Sequence, residues 1–220
     1  MFFWAGRNQF VARPHNQTVA ERAECLADLV LVDRCLDGER DAAAELFRHH
    51  QRRVHATLYR VLGTNRDMDD LLQETFIQVF NSLARFRADS RLSTWIDKIT
   101  CRVAYRYLSK HKRQVALTLE MMAEPEERSS GPHAQALARE GVRRLYAAMA
   151  ELPPAARIAF TLHELDGRRV TEVAACVGAS ITATKVRIWR ARRALLKKAQ
   201  SDPVLGEFLN DVSFGDEDNA

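Results

Sequence analysis

Thr171 to Leu195 reads TEVAACVGASITATKVRIWRARRAL, two short helical patterns joined by a turn, the second dense in arginine and lysine. Small Ala174 suits a close helix crossing, Gly178 suits a turn with positive φ, and Ser180 is placed to cap the second helix. These three placements specify a helix-turn-helix. In the second helix Ile181, Thr184, Ile188, Ala191 and Leu195 recur at spacings of three and four, which makes one buried stripe. The opposite side then carries Thr182, Val186, Trp189, Arg190 and Arg193, with Lys185 and Arg187 on the flanks. From Lys185 to Lys198 there are seven Lys or Arg and no Asp or Glu, an uncompensated charge that suits phosphates.

Working outward, 220 residues with 46% hydrophobic content can bury one or two cores, which excludes disorder throughout. The net charge of +4 conceals clustering, because residues 84–113 carry a net +7 and residues 201–220 hold six acids and no base. Basic clusters in both halves with an acidic tail fit a nucleic-acid partner, and without a long apolar segment no membrane insertion is expected. The opening MFFWAG is too short for a signal-peptide core, so a cytoplasmic location is expected. Cys25, Cys35, Cys101 and Cys176 show no Cys-x-x-Cys spacing, so they read as buried or idle thiols. His49, His50 and His55 lack metal-ligand spacing. No phosphate-cradling glycine loop or nucleophile elbow is present, and neither cofactor, metal nor catalytic residue is expected.

Glycine and proline fall between periodic stretches, which predicts an all-α protein. Helices are expected at about 41–62, from near Asp67 through DLLQETFIQVFNSL, at about 92–112, 136–152 and 154–165, and across the helix-turn-helix. Asp67, Asp69 and Asp70 suit the positive end of a helix dipole. The polar stretch 124–135, EPEERSSGPHAQ, is the best linker candidate. The chain thus divides into an extension of unassigned role over 1–30, a helical domain over 31–113, a linker over 114–138, a helix-turn-helix domain over 139–200 and an acidic tail over 201–220. In the tail, a weak apolar pattern at Val204, Leu205, Phe208 and Leu209 allows one short helix before a disordered end.

The first domain carries its own basic array. Lys98, Arg102, Arg106 and Lys110 recur every four residues with Tyr105 beside them, preceded by a loop with Arg85, Phe86, Arg87, Ser90 and Arg91. Cations follow a single-stranded backbone while aromatic rings accept unstacked bases. Trp95 lies near Leu92 and Ile99 on the wheel, where core packing and base stacking are both open to it.

DMDDLLQETFIQVFNSLARFRADSRLSTWIDKITCRVAYRYL resembles region two of bacterial sigma factors, and LPPAARIAFTLHELDGRRVTEVAACVGASITATKVRIWRARRAL resembles their region four. The two blocks, with no recognisable domain between them, resemble the extracytoplasmic-function group of alternative sigma factors. The resemblance implies a protein that binds core RNA polymerase, recognises the minus-ten and minus-thirty-five promoter elements and nucleates melting without chemistry of its own. It assigns polymerase docking to Asp69, Asp70, Leu71, Gln73, Glu74 and Phe76. It assigns the minus-ten element to Arg85, Phe86, Arg87, Ser90, Arg91, Lys98, Arg102, Tyr105 and Arg106. It assigns the minus-thirty-five element to Ser180, Thr182, Lys185, Val186, Arg187, Trp189, Arg190 and Arg193. Val186 stands where the family suggests a small polar residue and Thr184 where it suggests an aliphatic one. An anti-sigma factor is an implied partner, and the acidic tail is a candidate electrostatic screen for the basic helices.

Two other readings differ in class. A free-standing helix-turn-helix regulator would bind duplex DNA without polymerase. A metal-dependent nuclease using Asp67, Asp69, Asp70 and Glu74 would need convergent ligands, whereas successive helical residues diverge.

Overall fold

The computed structural model describes residues 19–64, 66–111 and 132–211, and these are helical throughout their regular structure. In chain order the helices are α1 (Val19–Leu36), α2 (Arg40–Leu62), α3 (Met68–Ser82), α4 (Leu92–Lys110), α5 (Pro132–Met149), α6 (Pro154–Phe160), α7 (Val170–Val177), α8 (Ile181–Ala199) and α9 (Pro203–Asp211). A 3-10 turn follows α3 over Leu83–Arg85, and a π-helical turn follows α6 over Thr161–Leu165.

Two element boundaries differ from the sequence reading. Residues 19–30, expected in an extension, belong to α1, whose Leu31 and Val32 are buried. Its role is local and physical: the Asp28 carboxylate accepts a hydrogen bond from the Leu92 N–H at 3.2 Å, one of the donors that the start of α4 leaves unpaired. Helix α5 begins at Pro132, inside the expected linker, because proline suits a first helical turn. Residues 112–131, the remainder of that linker, lie outside the described residues, as do 1–18 and 212–220.

In the expected acidic tail, α9 packs on α5 and α8 and buries Leu205 and Leu209. The weak apolar pattern there is therefore a docking stripe.

Helices α2, α3 and α4 pack on one another, with α1 against α2. Their core holds Leu46, Val54, Leu58, Phe76, Val79, Ile96 and Val103, and the same core takes in Ile158, Leu162, Val173, Cys176 and Ile188 from the carboxy-terminal half. A second core joins Leu145, Met149, Phe160, Ala191, Leu195, Leu205 and Leu209. The two halves of the chain thus meet in a closed arrangement, chiefly through α4 against α6 and α7.

The end of α2 shows why they fit. A helix leaves its last carbonyls without intrahelical partners. Here Arg157 of α6, 2% exposed, donates from Nε to the Val61 carbonyl and from Nη2 to the Leu62 carbonyl, both at 2.8 Å. The Tyr146 hydroxyl donates to the Arg60 carbonyl at 2.9 Å. Gly63 ends the helix with φ 71°, and a Cβ there would lie 2.3 Å from the Tyr146 ring, so only glycine permits this approach. Burial pushes the Arg157 guanidinium down to about 10, and it stays charged at neutral pH, where it complements the negative end of the α2 dipole.

Replacing Arg157 with Met should leave both buried carbonyls unpaired and lower the unfolding free energy by about 2–4 kcal/mol. Arg190→Met, on an exposed face, should change it by less than about 0.5 kcal/mol. Urea denaturation of the two variants tests this, and equal stabilities would refute the capping role of Arg157.

Candidate nucleic-acid interface

The helix-turn-helix is assembled by local hydrogen bonds. Gly178 adopts φ 64° and returns its N–H to the Ala174 carbonyl, which closes α7. The Ser180 hydroxyl accepts from the Ala183 N–H at 3.1 Å and so caps α8. Thr184 is fully buried, and its hydroxyl donates to the Ser180 carbonyl at 2.9 Å. That bond explains how a polar residue occupies a packing position: the hydroxyl is satisfied within its own helix, and the methyl faces the core.

Of the expected buried stripe, Thr184, Ile188, Ala191 and Leu195 are buried, but Ile181 is 48% exposed. Side chains lean toward the helix amino terminus, so a first-turn residue overhangs the end of the packing surface. On the opposite side Thr182, Lys185, Val186, Trp189, Arg190 and Arg193 are all exposed, with Arg187 half-buried. The Arg193 guanidinium lies 5.3 Å from the centre of the Trp189 ring, which orients a cation and holds an exposed indole in place. Arg192 points elsewhere and pairs with Glu164 at 2.7 Å, and Lys198 pairs with Glu151. Two of the seven cations in the basic run are thus engaged within the fold.

The second basic surface lies on α4 and the loop before it. Arg85 and Arg87 are exposed, and Ser90 and Arg91 are half-buried. Phe86 packs edge-on against Trp95, ring centres 5.6 Å apart. Trp95 is half-buried against the core, so it braces the loop from below. Along α4, Arg102, Tyr105 and Arg106 are exposed and Lys98 is half-buried. The Tyr107 hydroxyl donates to Asp67 at 2.6 Å, tying α4 to the start of α3. Its phenol is pushed well above its usual range by burial and by that hydrogen bond. Arg106 pairs with Glu74 of α3 at 2.7 Å.

Helix α3 needs a correction. Asp69, Asp70, Gln73 and Glu74 are exposed, but Leu71 and Phe76 are each only 4% exposed, and Phe76 packs at a tilt against Phe47 with ring centres 4.6 Å apart. Those two side chains belong to the core and are not offered to a partner in this arrangement. The apolar side chains on the outer face are Ile77, 51% exposed, and Phe80, 36% exposed. A helical wheel could have found them. With Met68, Leu71, Thr75, Phe76 and Val79 inward, Asp70, Gln73, Ile77 and Phe80 fall on the opposite side.

Between the two halves lies a polar cluster that periodicity did not disclose. Asp97 of α4, 1% exposed, accepts from Arg53 of α2 and from Arg168, each with a closest contact of 2.7 Å. Arg168 also donates to Asp166 at 2.5 Å and to the Thr57 hydroxyl at 3.1 Å, and Arg60 pairs with Asp166. Burial alone would weaken the charge on Arg168, but the Asp97 and Asp166 carboxylates outweigh it and raise the guanidinium above its ordinary value.

Among the described residues no helix is long and apolar enough to cross a membrane, and no group of three or more His, Cys, Asp or Glu is placed to hold a metal ion.

Comparison with known proteins fits this geometry. Residues 46–114 match the model of Sigma-70 region 2, and residues 142–195 match that of Sigma-70, region 4. The chain is 32% identical over 186 residues to the ECF RNA polymerase sigma-E factor of Salmonella typhimurium strain LT2, covering 81% of this chain and 97% of that one. The Escherichia coli K12 factor gives the same figures. In fold it is similar to CnrH, solved in complex with the cytosolic domain of CnrY, at 23% identity and a TM-score of 0.53, over 80% of this chain and 99% of that one. It is also similar to the sigma factor RpoE of Bartonella quintana, solved with the anti-sigma factor NepR, at 20% identity and a TM-score of 0.50, over 72% and 97%. Two region models in the same chain and full-length relatives at this identity establish that the chain belongs to the extracytoplasmic-function group of the sigma-70 family.

Proposed function

We propose that this chain confers promoter choice on core RNA polymerase by binding alone: α3 docks on the enzyme, α4 with its preceding loop takes the minus-ten element, and α8 enters the major groove of the minus-thirty-five element. The observation that carries this reading is the separation of three exposed faces on one chain, two cationic with aromatic side chains and one acidic and apolar.

On α3 the docking set becomes Asp69, Asp70, Gln73, Glu74, Ile77 and Phe80. Acids at the rim of an apolar patch steer and register a partner, while the patch supplies most of the affinity. On α4 and the segment before it, Arg85, Arg87, Arg102 and Arg106 follow the displaced strand, and Phe86 and Tyr105 offer ring faces to unstacked bases. On α8, Lys185, Arg187, Arg190 and Arg193 meet phosphates or a guanine edge, Thr182 a phosphate or base, and Val186 a thymine methyl. Trp189, fixed by Arg193, packs on deoxyribose. Ser180 spends its acceptor on the cap and keeps its proton for a phosphate.

Reading both elements requires the halves to separate. Some 25 base pairs at about 3.4 Å each span roughly 85 Å, whereas a compact chain of this length has a radius of gyration of about 17 Å. The closed arrangement therefore serves the free protein or a complex with an inhibitor. An anti-sigma factor is a suitable partner for it, since the fold relatives CnrH and RpoE were solved with CnrY and NepR. Polymerase and promoter as partners place the protein in the cytoplasm.

Truncation after Asp211 tests the acidic-tail screen by removing the charge of 212–220 alone, whereas truncation after Gln200 would also strip Leu205 and Leu209 from the second core.

Core enzyme supplied with this chain should initiate at specific genomic promoters, and failure where a control sigma factor succeeds would reject the reading. Ile77→Ala and Phe80→Ala should each weaken core-enzyme binding about five- to tenfold by fluorescence anisotropy. Phe76→Ala should mainly lower stability, by about 3–5 kcal/mol. Undiminished binding by both outer-face variants would move docking off α3. Lys185→Ala and Arg190→Ala should each reduce the slope of log affinity against log salt by about one for minus-thirty-five duplex, if both contact phosphate. An unchanged slope would remove that residue from the phosphate contacts.

A further inference from the structure

Cys101 and Cys176 belong to opposite halves of the chain and meet at the seam between them. Cys101 lies one turn beyond Asp97 on α4, and Cys176 lies near the end of α7, the two helices that pack across the seam. The side chains are 3% and 4% exposed and belong to the same core. Arg168 binds both of their neighbourhoods, donating to Asp97 at 2.7 Å and to the Cys176 sulfur at 3.8 Å.

We propose that Cys101 and Cys176 form a peroxide-responsive disulfide that bolts the two halves closed and suspends promoter recognition. The idea rests on the reading above that the halves must part to reach both promoter elements.

The chemistry divides naturally between the two thiols. The Cys176 thiol sits below its ordinary value, through the hydrogen bond from Cys101 and despite burial, with the Arg168 guanidinium adding to the effect. Cys101 is driven well above its own, by the same hydrogen bond and by burial. When the halves part the hydrogen bond from Cys101 is lost, and Arg168, in the same half as Cys176, is the cation left beside the sulfur as solvent reaches it. There the Cys176 thiolate attacks one peroxide oxygen, the O–O bond breaks, and a sulfenic acid and hydroxide form. Closure brings up Cys101, whose sulfur attacks the sulfenic sulfur; the displaced hydroxide takes the Cys101 proton and leaves as water as the S–S bond forms. In sum, two thiols are oxidised and one hydrogen peroxide becomes two waters. A thiol reductant reverses the bond, as befits a transient disulfide in a reducing compartment.

Besides the apolar core that the two halves share, the closed arrangement is held by groups that water can solvate again, namely Asp97, Arg53, Arg168 and Asp166. A covalent bond at the same seam removes that freedom. No other described cysteine lies across it: Cys35, the third one described, sits at the end of α1.

The test uses the full chain, treated with hydrogen peroxide, cleared with catalase and alkylated before core enzyme is added. Peptide mapping by mass spectrometry should show a Cys101–Cys176 pair that dithiothreitol abolishes. Transcription by the reconstituted holoenzyme should fall at least about tenfold and recover on reduction, because a closed fraction contributes nothing to two-element binding. Cys101→Ser and Cys176→Ser should each retain basal transcription and hold it after peroxide. Absence of the pair, a bond to Cys25 or Cys35 instead, or the pair without loss of transcription would overturn the proposal. The mapping needs no variant and no transcription, so it decides the bond even if a serine variant misfolds. Loss of all transcription from the reduced wild type would count against the sigma-factor reading and leave the mapping to stand by itself.

Discussion

A guanidinium buried at the end of another helix is what the closed molecule depends on. Arg157 comes from the carboxy-terminal half and satisfies carbonyls in the amino-terminal half, at a place where α2 has run out of intrahelical donors. Tyr146 takes the next carbonyl back along α2, and Gly63 leaves room for its ring. Remove the arginine, and the apolar core shared by the two halves remains, but the seam acquires unpaired oxygen atoms that only water can satisfy. The two halves are therefore matched to each other by hydrogen-bond geometry as well as by apolar area.

What was legible in the sequence was what neighbours in sequence determine. Gly178, Ser180 and the three- and four-residue repeat of α8 specify their structure within two turns, and the helix-turn-helix has the turn and cap those residues imply. The same local logic gave the outward cations of α4. It failed on α3 for a different reason: DLLQETF was assigned as a docking motif by resemblance, without asking which of its apolar members the wheel turns inward. Leu71 and Phe76 have the right chemistry and the wrong azimuth. The seam was not legible at all. Nothing in the spacing of Arg157, Arg168, Asp97 or Cys101 announces its partners across the linker. Cys101 and Cys176, among the thiols read as buried or idle, are buried at this seam, which motif spacing could not locate because it detects only ligands close in sequence.

Helix α4 connects these observations. Its outer face carries Arg102, Tyr105 and Arg106, and its inner face carries Asp97 and Cys101. One helix thus presents a cationic surface to solvent and Asp97 and Cys101 to the other half. The opposing faces cannot be tuned independently: a substitution that rotates or frays α4 disturbs both. Between those faces the buried Thr100 hydroxyl is satisfied within the helix, donating to the Ile96 carbonyl at 3.0 Å.

The seam is both apolar and charged. Separating the halves would uncover Ile158, Leu162, Val173 and Ile188, at about 25 cal/mol for each Å². Charged groups behave otherwise, because the Coulomb attraction lost on opening is largely offset by hydration regained, which leaves a buried pair with little net stabilising effect. Asp97, Arg53, Arg168 and Asp166 therefore fix the register of closure while adding little to its depth. Arg157 works in the same sense, exchanging two carbonyls for water. The charged groups thus give closure its register and the apolar groups its depth, so the halves part only by uncovering that apolar area. A disulfide at the same seam would add to both, because it does not exchange with water.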